Sequence, residues 1–80
     1  MFINKTQNGH NNICGEKIAI LRKQIGISQR ELADRLQLLG LDVDKNAIQR
    51  LEAGKRFVTD IEIVYLARFF NVSTSDLLGI

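Results

Sequence analysis

Lys45, Asn46, Gln49 and Arg50 are the side chains whose types and spacing carry the most chemistry in this 80-residue chain. Stepped at roughly 100° per residue from Lys45, they fall between about 0° and 140° around a helix. Ala47, Leu51 and Ile48 fall between about 200° and 300°, on the opposite side of the same cylinder. One side is apolar and docks; the other presents two cations and two carboxamides. Arginine and lysine donate to O6 and N7 of guanine, while asparagine and glutamine can pair bidentately with adenine. Such a face suits base edges in the major groove of double-stranded DNA. The plain alternative is a face exposed for solubility alone, as on most amphipathic helices, and the neighbouring segments bear on the choice.

Ser28 followed by Glu31 reads as a capping box that opens a helix just ahead of this one. Ala33 is small where the next helix should approach closely. Gln29 stands at the start of that helix, where its side chain and backbone N–H groups can meet a phosphate. Lys55 and Arg56 follow the Lys45–Ala53 segment directly and could clamp the flanking backbone. The expected base-reading set is therefore Lys45, Asn46, Gln49 and Arg50, and the expected phosphate set is Gln29, Lys55 and Arg56. Lys5 could add a contact from the N-terminal arm.

Other chemistries find little support. His10 is the only histidine and falls in a polar stretch where it should be solvated. Cys14 has no nearby activator and reads as a small core hydrophobe. One histidine and one cysteine do not make a zinc site. Gly54-Lys55-Arg56 lacks the glycine-rich lead-in of a phosphate-cradling loop. No enzyme activity, metal or cofactor is expected.

Eighty residues make one small domain, and 45% hydrophobic composition suffices for a single core. The formal charge of +2 is uneven. Residues 13–58 hold nine Lys/Arg against six Asp/Glu, whereas residues 59–80 hold Arg68 against Asp60, Glu62 and Asp76. A basic centre and an acidic end fit a protein with one face toward phosphate. A lone cysteine excludes an internal disulfide. No apolar stretch approaches the ~20 residues of a membrane span, and a cytoplasmic protein without membrane contact is expected.

The elements that must position these side chains are helical. Residues 1–12 lack periodicity and read as a flexible arm, leaving residues 13–80 as the domain. A first helix is expected from Asn12 to Ile25, with Cys14, Ile18, Leu21 and Ile25 as its buried stripe, ended by Gly26. Leu32, Ala33 and Leu36 face inward from the second. Gly40 should break the segment Gln37–Val43, whose leucines must pack or form an apolar loop. Asp44 caps the third helix, which Gly54 closes. Thr59 with Glu62, and Ser73 with Asp76, read as further capping boxes opening helices to about Phe70 and over Thr74–Leu78. The fold class is all-α, a compact bundle of five helices.

Three stretches, I-A-I-L-R-K-Q-I-G-I-S-Q-R-E-L-A, A-I-Q-R-L-E-A-G-K-R and F-N-V-S-T-S-D-L-L, resemble the Xre/Cro-like helix-turn-helix repressors. The resemblance runs from about Ile13 to Leu78 and implies a lambda-repressor-like DNA-binding domain. It implies phosphate contact by Gln29, base contacts by Lys45, Asn46, Gln49 and Arg50, and an ion pair between Arg22 and Glu52. That pair also suits Glu52 at about 340° on the wheel, the margin of the buried side, where a carboxylate wants a cationic partner. The chain departs from the family in L-Q-L-L-G-L-D-V-D, about five residues longer than the usual tight turn; an excursion that preserves the helix geometry is expected.

The resulting expectation is a sequence-specific transcriptional regulator, a repressor whose partner is double-stranded DNA. The run from Ile61 to Phe70, with Leu77, Leu78 and Ile80, has more apolar surface than one stripe requires. Self-association through the C-terminal helices would place two reading helices about 34 Å apart, one turn of DNA. The rival reading is a protein-interaction module, an antitoxin or adaptor that binds a partner protein through this apolar face.

Overall fold

The computed structural model describes residues 5–80. They form an all-α domain of α1 (Gly15–Gln24), α2 (Gln29–Leu38), α3 (Lys45–Glu52), α4 (Asp60–Phe70) and α5 (Thr74–Leu78). Each helix delivers apolar side chains to one core: Ile18 with the preceding Cys14, Leu32 and Leu36, Ile48 and Leu51, Leu66, and Leu77 are all buried. Burying each Leu or Ile contributes about 1.5–3 kcal/mol. α3 packs on α1 and α2; α4 packs on α2 and α5.

Local chemistry sets the helix starts. Ser28, Asp44, Thr59 and Ser73 each have extended backbone and accept a hydrogen bond from the N–H three residues on, filling donors the helix cannot satisfy itself. Only Thr59 and Glu62 close a reciprocal box. The other two expected boxes are half made: Glu31 turns instead to Arg35, one turn along the same helix.

The first helix differs from expectation at both ends. It opens at Gly15, three residues late, because Asn12 Oδ1 accepts the Gly15 N–H at 2.8 Å and itself stays outside the helix. At the far end Ile25, expected in the buried stripe, is 52% exposed. The chain reverses there, and Ile27 takes the buried place.

The long connector folds on itself. α2 runs to Leu38, and Gly40 turns the chain at φ +103°, where a side chain would be strained. Leu41 and Val43 then drop into the core while Leu38 and Leu39 stay outside. Gln37 Nε2 donates to the Val43 carbonyl at 2.6 Å, and the Leu41 N–H donates to the Leu36 carbonyl. The extra residues are absorbed locally, and Ala33 of α2 remains buried.

Residues 6–12 were expected to belong to a flexible arm. They are instead a strap along the exit of α3, with a Thr6–His10 turn and hydrogen bonds from Asn11 and Asn12. Met1–Asn4, the rest of that expected arm, lie outside the described residues. No helix among the described residues is long and apolar enough to cross a membrane.

Candidate nucleic-acid interface

α3 is a short helix held on one side and open on the other. Ile48 and Leu51 are fully covered, whereas Lys45, Asn46, Gln49 and Arg50 are all exposed. Asp44 Oδ1 accepts the Ala47 N–H at 2.8 Å and fixes the first turn. Among the described residues Lys45 and Arg50 take part in no ion pair; the cations so engaged are Arg22, Arg35 and Arg56. Both cations of the open face are thus available to an outside acceptor.

Beside the start of α3 runs a groove floored by Ala33 and flanked by Arg30, Asp34, Gln37, Lys45 and Asn46. Arg30 is a cation the sequence reading missed. Its exposure and position one residue after Gln29 put it on the same flank. The signal was present in the Ser28-Gln29-Arg30 order, since a cation in the first turn is accessible to a bound anion.

The C-terminal end of α3 is tied to two other helices through Glu52. Arg22 Nε and Nη2 donate to its two oxygens at 2.7 and 2.9 Å, while Arg22 Nη1 donates to the Ile27 carbonyl. Gln29 Nε2 donates to Glu52 Oε1 at 3.0 Å. The hydrogen bond to Glu52 pushes the Arg22 pKa up further, so the guanidinium is permanently charged. Gln29 therefore spends one amide proton inside the fold, and its side chain remains partly exposed.

Lys55 and Arg56 have different surroundings. Lys55 is exposed and in no ion pair among the described residues. Arg56 turns away: its Nη1 donates to both oxygens of Glu62 at 2.8 Å, beneath the start of α4. Glu62 is 8% exposed. Burial pushes its carboxyl up, but hydrogen bonds from Arg56 and Thr59 outweigh that and leave its pKa below the usual carboxylate range. Arg56 Nη1 is thus committed to a buried carboxylate that its withdrawal would strand, so the phosphate contact expected of Arg56 would have to come from the rest of the guanidinium.

The strap completes the site. Asn11 Nδ2 donates to the Lys55 carbonyl at 2.9 Å and the Asn11 N–H to the Gly54 carbonyl at 2.7 Å. Asn12 Nδ2 bridges the carbonyls of Leu51 and Arg56 at 3.1 and 2.8 Å. His10, expected to be solvated, packs on Gly54, where an added Cβ would lie 2.7 Å from its ring. Lys5 sits farther off, at a cleft with Ile13, Val58, Ile63 and Leu78. Cys14 is buried beneath the strap, and burial pushes its thiol pKa up, which suppresses the reactive thiolate.

The comparisons with known proteins agree with this geometry. The helix-turn-helix family matches over residues 18–77. Among solved structures, the restriction-modification controller protein C.AhdI from Aeromonas hydrophila is similar, with 26% identity and a TM-score of 0.67 over 80% of this chain and 86% of that one. A comparison with curated proteins finds no match. The regulator reading is thereby favoured over an interaction module. With three quarters of its length matched and a bundle that leaves the polar face of α3 open, this chain belongs to the Xre/Cro-like helix-turn-helix family and is a DNA-binding transcriptional regulator.

Proposed function

We propose that the protein is a homodimeric repressor that inserts α3 into the major groove, with Lys45, Asn46, Gln49 and Arg50 on base edges. Gln29 and Lys55 hold phosphates on either flank, and Arg30 joins them. The carrying observation is the division of α3 into a covered edge, Ile48 and Leu51, and an open one with its cations uncommitted. Likeness to C.AhdI supports restriction-modification genes as the setting in which it acts. Repression follows where the operator overlaps the promoter.

The dimer reading draws on α4. Stepped from Asp60 at roughly 100° per residue, Val64, Arg68 and Ile61 fall at about 40°, 80° and 100°, and all four are exposed. Two copies of α4 laid antiparallel about a two-fold at Val64 would set Asp60 of one opposite Arg68 of the other, around an apolar centre. Val64→Lys should then lower the sedimentation coefficient to that of a monomer.

The deciding experiment is selection of bound fragments from random DNA followed by sequencing. Enrichment of a two-fold-symmetric site, with half-sites about one helical turn apart, is the expected result. Equal affinity for the selected site and random DNA would overturn base reading; a single unpaired half-site would overturn the dimer.

A further inference from the structure

The loop that leaves α3 is gripped from two sides, and the grip leaves one cation outside. On one side Asn11 and Asn12 take the carbonyls of Leu51, Gly54, Lys55 and Arg56, the last acceptors of the helix and the loop that follows. On the other side Arg56 is locked onto Glu62. A helix end leaves carbonyls without partners inside the helix, and here an N-terminal segment, more than forty residues away in sequence, supplies the donors. Between these two anchors the backbone of Lys55 has little freedom, while its side chain remains exposed.

We infer that Asn11 is a positioning residue for DNA binding: through the Lys55 carbonyl it holds the Lys55 ammonium where a backbone phosphate will lie. The inference rests on the phosphate role proposed for Lys55. Two further observations support it. Asn11 holds its amide where Nδ2 meets the Lys55 carbonyl although this leaves Oδ1 buried without a hydrogen-bond partner among the described residues, a cost. His10 closes over Gly54 so tightly that any side chain there would collide with the ring, so the strap is packed directly against the loop. A cation whose backbone is already ordered loses less freedom on binding than one on a free loop. The strap thus adds to affinity without touching DNA.

The test is a double-mutant cycle on the full chain with the selected duplex, reading the slope of log affinity against log salt. Lys55→Ala should lower that slope by about one unit. Asn11→Ala should weaken binding in the wild-type background and have little further effect once Lys55 is alanine. In the free protein, amide relaxation should show greater fast motion at residues 54–56 in Asn11→Ala, and Asn11→Ser, whose side chain is too short to reach the Lys55 carbonyl, should behave the same way. Additive losses in the cycle, or unchanged relaxation at Lys55, would overturn the positioning role while leaving Lys55 as a phosphate contact. An unchanged salt slope in Lys55→Ala would overturn the phosphate reading itself, and the role of Asn11 with it.

Discussion

Arg22 grips Glu52 with two nearly equal hydrogen bonds, 2.7 and 2.9 Å, across thirty residues of sequence. The pair joins α1 to the last residue of α3, and Gln29 adds a donor from the first residue of α2. Three helices therefore meet at one carboxylate, at the margin between the covered side of α3 and its open surface. The side chains are 12% and 7% exposed, so solvent screens the pair weakly. Glu52→Ala leaves the guanidinium buried without its partner and should destabilise the domain by about 3 kcal/mol in urea unfolding. Arg22→Lys should recover little, because an ammonium cannot reproduce the two-pronged geometry. Equal stability of Arg22→Lys and wild type would show that charge alone suffices.

Arg50 lies at one edge of the open face, at about 140° on the wheel, and should read a base. Arg50→Ala is expected to cost about 1–3 kcal/mol on the selected site and to relax preference at one base position. Titrations against a set of single-base variants check this. Equal losses on selected and random DNA would instead make Arg50 a phosphate contact.

Arg56 is expected to behave oppositely to its neighbour. Arg56→Ala should destabilise the fold by about 1–3 kcal/mol by stranding Glu62, yet leave the salt dependence of DNA binding where it was. A slope reduced by about one unit would show that Arg56 reaches a phosphate as well.

Gly15 reverses a general preference. Alanine is ordinarily better than glycine inside a helix by about 1 kcal/mol. At Gly15 the added Cβ would lie 2.2 Å from the Leu51 carbonyl oxygen, a backbone atom with nowhere to go. Gly15→Ala should therefore lose about 1–3 kcal/mol and push the start of α1 away from the end of α3. Thermal unfolding decides it; a raised Tm would mean that the two backbones can separate freely.

Glu62 sets a pH dependence. Its folded pKa lies below the unfolded glutamate value of about 4.3, because Arg56 and Thr59 stabilise the charged form more than burial opposes it. Its contribution is fully present above that value and is lost as pH falls through the lowered folded one. Wild type should lose stability relative to Glu62→Gln across this acid window and keep a constant difference from it near neutrality. Parallel stability curves from pH 7 to pH 3 would contradict the lowered pKa.

By itself the sequence determined the order of the helices and most of their covered positions, Ile25 excepted, since periodic apolar residues and the caps Ser28, Asp44, Thr59 and Ser73 act over a few residues. The wheel around Lys45 belongs to this class, and α3 exposes the four polar side chains that the wheel turned outward. The partners of charged groups were decided only in three dimensions. Lys55 and Arg56 are adjacent and look equivalent in the chain, yet one stays free because Glu62 rises on the far side of the loop to take the other. Asn11 and Asn12 read as arm residues because nothing local shows that they will donate to carbonyls in and beyond the last turn of α3. The same holds for Gly15, whose need for a bare backbone comes from a helix more than thirty residues later. Periodicity records burial, which each residue expresses by its own type. Pairing depends on distances that exist only once the bundle has closed.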